Sequence, residues 1–299
     1  MKILILKYGA AGDVIRVTTL LHLFPNDIID WVVGNNNAIL IDTIPNISRV
    51  IPESEIPSTV FGDYDLVINL EDSYEAAEVL RKIKYKDLFG AYINSNNKIS
   101  YTDESKGWFD LSLISKYGLK EANILKFKND KSFQEIVFEG LGYKFKGEPY
   151  LLPESPYTNL FGDIAIAPKA GKVWPMKNWA FYDELVQYLR NKGFIVNYLP
   201  NRSTMLEHLT DVKNHSILIS GDSLPMHLAL GSKVLTISLF TCTSPAEIYS
   251  YNLMWKVISP ELEKYWYRRD FDISATQSIS LESVIDIFNL ITKKQAANA

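Results

Sequence analysis

The first strand-like run does most to limit what this chain can fold into. Lys2-Ile3-Leu4-Ile5-Leu6-Lys7 passes directly into the glycine turn Gly9-Ala10-Ala11-Gly12-Asp13 and then into a helical pattern from Val14. Strand, turn and helix in that order begin a βαβ unit, and the same alternation returns along most of the chain. In the first half it predicts strands at 2–7, 29–33, 65–70 and 87–92, with helices at 14–24, 37–43, 73–83 and 131–141. The polar, turn-rich stretch 94–107 reads as a loop or flap, and Gly147 to Pro156 as a linker. The second half restarts the pattern, with strands at 163–167, 194–199, 216–220, 234–239 and 255–258. Helices fit 179–191, 204–213, 223–230 and 281–292. The expected architecture is α/β, with two Rossmann-like domains facing across a cleft.

Composition narrows the function classes. A chain of 299 residues is long enough for two domains of about 100–150 residues, each with its own core. A net charge of −4 argues against broad nucleic-acid binding, which needs a basic face. The single cysteine, Cys242, rules out an intrachain disulfide and a cysteine zinc site, and fits a reducing cytoplasm. No window approaches the roughly 18 apolar residues of a membrane span, and the opening run is too short for a signal peptide. Any work at a membrane is therefore expected to be peripheral.

Three segments carry candidate chemistry. Asp13 stands at the carboxyl edge of a sheet, either as a helix cap or as a base toward a sugar hydroxyl. Its small neighbours, Gly12 among them, allow a substrate to approach the backbone closely. Lys169 and Lys172 follow the strand at 163–167, either as solvated surface lysines or as ligands of a diphosphate. Gly221-Asp222-Ser223 opens a helix whose first turns hold Leu224, Pro225, Met226 and His227. Proline there marks a helix start, and the amides of such a start suit a phosphate. Asp222 is then a cap or a ribose contact, and His227 either lines the site or is a core histidine. Glu71 and Asp72 sit at the same sheet edge as Asp13, as acceptor contacts or as caps of the next helix. Asp270-Phe271-Asp272 has a spacing used for metals but lacks further ligands, and the histidines show no metal-ligand spacing.

With those residues in place, the chain resembles glycosyltransferase family 9, the ADP-heptose:lipopolysaccharide heptosyltransferases. KILILKYGAAGDVIRVTTLL is similar to that family's opening strand, Gly-Asp turn and helix. KVWPMKNW is similar to its Lys-x-Trp-Pro segment, and GDSLPMHLALG followed by TSPAEI to its donor signature. The resemblance implies the GT-B fold, with an acceptor-side domain at 1–150, a nucleotide-sugar domain at 151–275, and a helix in 276–299 packing back on the first domain. It implies an inverting, metal-independent enzyme of a bacterial cytoplasm, acting peripherally at the inner membrane or free of it. Asp13 becomes the general base and Lys172 the donor-phosphate ligand. Gly12, Lys169, Asp222, Ser223, Leu224 and His227 belong to the nucleotide-sugar site. No cofactor or metal is implied; the donor is a nucleotide-diphosphate sugar such as ADP-heptose, and the acceptor a glycan or lipopolysaccharide-type molecule. Leu224 replaces the family's glycine, the stretch between 199 and 216 is short, and Glu207 is the nearest match to a nucleotide-contacting glutamate. Those departures keep a noncatalytic GT-B binding module as the alternative.

Overall fold

The computed structural model describes residues 1–113 and 116–298, the last five of these by backbone alone. It divides into two compact units, Met1–Glu154 and Ser155–Ala299, and the division falls within the Gly147 to Pro156 stretch.

The first unit runs β1 (Lys2–Leu6), α1 (Ala11–Val17), β2 (Ile28–Val33), β3 (Ile47–Pro52), β4 (Asp63–Asn69), α2 (Tyr74–Val79), β5 (Lys84–Ile93), β6 (Ile99–Tyr101), α3 (Lys106–Phe109), α4 (Leu119–Lys128) and α5 (Phe133–Gly140). Its sheet has the order β3-β2-β1-β4-β5-β6, parallel throughout except for β6, which pairs antiparallel with β5. Central β1 is apolar on both faces because both are covered: Ile3, Leu4, Ile5 and Leu6 are all fully buried. α5 begins in a capping box, where the Ser132 and Glu135 side chains each bond the other's backbone amide.

The second unit runs β7 (Gly162–Ala167), α6 (Tyr182–Asn191), β8 (Val196–Tyr198), α7 (Met205–Lys213), β9 (His215–Gly221), α8 (Leu224–Gly231), β10 (Leu235–Phe240), β11 (Met254–Ile258), α9 (Ile273–Thr276) and α10 (Leu281–Asn298). Its all-parallel sheet has the order β11-β10-β9-β7-β8. Ile164, Ile166, Ile217, Ile219, Ile237 and Leu239 form the middle of its core. Val284, Phe288 and Ile291 of α10 are part of that same core. Among the described residues no helix is long and apolar enough to cross a membrane.

Several expected elements change form. α1 starts at Ala11 rather than Val14, and it gives way to a 3₁₀ turn at Thr18–Leu23. The Thr18 and Thr19 hydroxyls donate back to the Ile15 and Arg16 carbonyls at 2.6 and 2.8 Å, competing with the α-helical bonds there. The expected helix at 37–43 is a 3₁₀ turn at Asn35–Leu40. The stretch read as a loop holds β6 and the start of α3, and the strand β3 and the helices α4 and α9 are additional to the sequence reading.

One glycine fixes how β4 meets β5. Gly90 pairs with Asn69 and has φ +126°; a Cβ added there would lie 1.9 Å from the Asn69 carbonyl oxygen. Asn69 in turn donates to the Ala91 carbonyl at 2.8 Å and accepts from the Glu71 amide at 3.1 Å, so this contact orients the end of β4. Gly90→Ala is therefore expected to lower the unfolding free energy by about 2–4 kcal/mol, from backbone strain plus overpacking. Urea denaturation reads it, and an unchanged midpoint would contradict the assignment.

Candidate functional site

In both sheets the connections diverge to opposite sides between two neighbouring parallel strands, and crevices outside the carboxyl ends of such strands are where open α/β sheets bind ligands. In the first unit that point lies between β1 and β4. The loop after β1 is pinned there by one carboxylate. Glu71 Oε1 accepts from Lys7 Nζ at 2.6 Å, from the Tyr8 amide at 2.7 Å and from the Gly9 amide at 3.0 Å. Asn37 donates to the Tyr8 carbonyl from the other side at 2.8 Å. The Tyr8 hydroxyl is buried without a hydrogen-bond partner among the described residues, and burial, with Glu53 and Glu71 nearby, raises its pKa well above the usual phenol value.

Asp13 lies in the first turn of α1, just beyond this loop. It is not the cap: Ala10 holds that position, and the Asp13 amide donates to the Ala10 carbonyl at 2.8 Å. Its carboxylate keeps about a quarter of its surface exposed and pairs with Arg16 one turn on. Arg16 is almost fully buried, with its guanidinium 4.5 Å from the centre of the Phe133 ring of α5. The arrangement holds the carboxylate at the sheet edge rather than letting it swing with solvent. Gly12 sits beside it, partly exposed. Glu71 and Asp72 do not cap α2, whose cap is Ser73. Asp72 instead accepts from Tyr101 at 2.8 Å and from Ser112.

In the second unit the divergence lies between β7 and β9, flanked by the loop 168–174 and by Asp222 and Ser223. Asp222 is neither cap nor exposed contact. Its Oδ2 accepts from Lys177 Nζ and from the Thr243 hydroxyl, both at 2.6 Å, and Lys177 also donates to the Asp222 carbonyl at 3.0 Å. Both side chains of the pair are over nine-tenths buried. Asp222 Oδ1 and the Ser223 hydroxyl, at the cap of α8, are buried with no hydrogen-bond partner among the described residues. Leu224, the first residue of α8, is half-buried, and His227 is 6% exposed within a helix whose other interior residues are buried too. Lys169 and Lys172 are exposed in the loop before Trp174. The structure thus adds Lys177 to the site. Sequence reading passed over it because pairing with Asp222, 45 positions away, is a tertiary fact.

Beside Lys169 opens a hollow of about 500 Å³, lined by Pro168, Lys169, Leu199, Asn201, His208 and Pro225. Burial lowers the His208 pKa below the usual imidazole value. Glu207 does not enter this hollow's lining. Its carboxylate closes a capping box at the start of α7, accepting from Ser203 at 2.6 Å and the Thr204 amide at 3.1 Å, so it is a cap rather than a nucleotide contact. Asp270 and Asp272 both turn to Arg268, and among the described residues no group of three or more metal-ligating side chains gathers. Cys242 is buried beside Met176 and Tyr265, and burial pushes its thiol up to about 11.

No family model matches this chain, and no curated protein matches it by sequence. Solved structures do match. E. coli ADP-heptose lps heptosyltransferase II is similar with a TM-score of 0.64 at 15% identity, over 99% of this chain and 100% of that one. E. coli heptosyltransferase WaaC with ADP gives 0.61 at 15% identity, over 98% and 99%. A glycosyl transferase family 9 protein from Veillonella parvula DSM 2008 gives 0.60 at 15% identity, over 95% of each. Likeness at this identity is likeness of fold. The fold is GT-B.

The GT-B frame makes the Lys177–Asp222 pair testable by itself. Lys177→Met removes the only cation paired with Asp222 among the described residues and leaves a carboxylate nine-tenths buried. The expected loss is about 3–5 kcal/mol, because an uncompensated buried charge costs more than the pair contributes. Lys177→Met combined with Asp222→Asn should recover part of it. Equal stability of wild type and Lys177→Met in urea would show the pair to be without consequence.

Proposed function

We propose that this chain is a glycosyltransferase of the heptosyltransferase type. It moves a sugar from a nucleoside diphosphate to a glycan or lipopolysaccharide-type acceptor with inversion at the anomeric carbon. The observation that carries the reading is where the chemistry falls. A carboxylate stands at the strand-divergence edge of one Rossmann-like unit, and lysines with no carboxylate partner among the described residues stand at that edge of the other, in a chain that matches heptosyltransferase structures almost end to end. WaaC has been solved with ADP and with ADP-2-deoxy-2-fluoro heptose, which supports an ADP-sugar as the donor here.

In this reading Asp13 takes the proton of the acceptor hydroxyl as its oxygen attacks the anomeric carbon. The bond between that carbon and the donor's phosphate oxygen breaks, and the electron pair leaves with the nucleoside diphosphate. Lys172 and Lys169 take up the growing charge, helped by the amides at the start of α8. The hollow beside Lys169, with its Leu199 and Pro200 wall, accommodates the base. Arg16 acts through Asp13 by fixing its carboxylate. The protein acts in the cytoplasm, peripheral to the inner membrane where a lipid-linked acceptor lies.

A binding module without transfer is the second reading, and Leu224 favours it by placing a side chain at the first turn of the helix that would meet the diphosphate. Transfer assayed with ADP-heptose and a lipopolysaccharide-core acceptor separates the two. Asp13→Asn is expected to lower kcat by about 100-fold or more while leaving ADP affinity within about twofold, since a general base acts on the acceptor and not on the donor. Lys172→Ala is expected to weaken ADP binding about tenfold, the worth of one charge-assisted contact. Wild-type transfer rates in Asp13→Asn would remove the base assignment, and ADP binding with no transfer in the wild type would leave the binding module standing.

A further inference from the structure

The loop between β11 and α9 carries two adjacent arginines with opposite fates. Arg268 is neutralised locally: its Nε donates to Asp270 at 3.0 Å, and Asp272 lies 3.9 Å away. Arg269 is exposed, and among the described residues it has no carboxylate partner. Its guanidinium carbon lies 5.3 Å from the centre of the Trp174 indole. Lys177 Nζ, the cation committed to Asp222, lies 5.7 Å from the centre of the same ring.

That indole is firmly held. It meets Tyr267 edge-on, with ring centres 5.5 Å apart. Tyr267 is fixed in turn: its hydroxyl donates to Glu247 at 2.9 Å, its amide donates to the Cys242 carbonyl at 2.8 Å, and its φ is +51°, a conformation a bulky residue keeps only under constraint. A tryptophan face held this way is a platform, and a guanidinium lying on one keeps its planar N–H edge for an anion. Trp174 stands two residues after Lys172, in the turn that its amide closes onto the Gly171 carbonyl at 3.2 Å. Lys169, Lys172 and Arg269 are therefore three cations carried by this loop and its platform, none with a carboxylate partner among the described residues. Folding sets an arginine from a distant segment on the tryptophan of the loop that carries the two lysines, and cations left without carboxylates favour a ligand with several negative charges.

We propose that Arg269, seated on Trp174, is a further cationic contact for the diphosphate of the donor. This rests on the donor reading above and adds a residue to it from a segment that the sequence motifs do not include. Arg269 is a positioning and binding group: its planar fork suits two phosphate oxygens at once, which a lysine ammonium does not reproduce.

Calorimetric titration of the full chain tests it, with ADP, UDP, GDP, their nucleosides and inorganic pyrophosphate as probes. Arg269→Gln is expected to weaken the best nucleoside diphosphate and pyrophosphate about tenfold and to leave the matching nucleoside unchanged, because the lost contact is charge-assisted and made to phosphate. Arg269→Lys should recover only part of the affinity. Trp174→Leu, which keeps the arginine but removes its platform, should weaken the diphosphate more than the nucleoside. Equal diphosphate affinity in wild type and Arg269→Gln, or an equal loss for diphosphate and nucleoside, would overturn the inference while sparing the donor reading. A wild type that binds none of the diphosphates would overturn both.

Discussion

A buried ion pair, Lys177 with Asp222, organises the edge of the second sheet on which the functional reading depends. Its cost of desolvation is offset by close geometry and by the Thr243 hydroxyl, which adds a second donor to the same carboxylate oxygen. The pair ties the segment after β7 to the residue that follows β9, and so fixes the two flanks of the crevice relative to each other. It also sorts the local cations. Lys177 is turned inward and compensated, so whatever anion this edge meets is left to Lys169, Lys172 and the arginine on Trp174.

The first unit solves the equivalent problem with a different carboxylate. Glu71 holds two loop amides and the Lys7 ammonium on one oxygen, and the loop so fixed leads into the helix turn that carries Asp13. Behind Asp13 stands Arg16 against Phe133, and behind Glu71 stands the Asn69–Gly90 contact. In the first unit the candidate carboxylate is supported by a buried charged group and by a backbone close approach; in the second, a buried ion pair holds the segment that follows the candidate lysines. The rigid elements supply position: Asp13 is carried by the first turn of α1, and Lys169 and Lys172 by the loop after β7.

The α/β class and most of the strands were legible because a parallel sheet covered on both faces writes itself as short, continuous apolar runs. Ile3 to Leu6 and Ile164 to Ala167 are such runs. β3 was not legible: Ile47-Ser48-Arg49-Val50-Ile51-Pro52 is an edge strand, partly polar and ended by proline, and nothing local distinguishes it from a turn. β6 escaped because three residues carry no period, and α4 because Lys, Glu and Asn interrupt its apolar positions. At the candidate site, Asp13, Lys172 and Asp222 were visible as residue types at strand ends, whereas the partners that set their roles were not. Asp222 reads as a cap until Lys177 is seen against it. Glu207 is the opposite case: Thr204-Met205-Leu206-Glu207 has the capping-box spacing, so its role as a cap was legible in the sequence and was missed. Pairings over tens of residues belong to tertiary structure, and a single chain's local pattern does not contain them.

The central claim is that the second unit's sheet edge, with its outward cations and the start of α8, receives a nucleoside diphosphate. Hydrogen–deuterium exchange of the whole chain with and without ADP addresses it most directly. The account predicts slowed exchange at residues 168–178 and 221–228, and no such change with adenosine. Slowing confined to other segments, or identical profiles with ADP and adenosine, would contradict it.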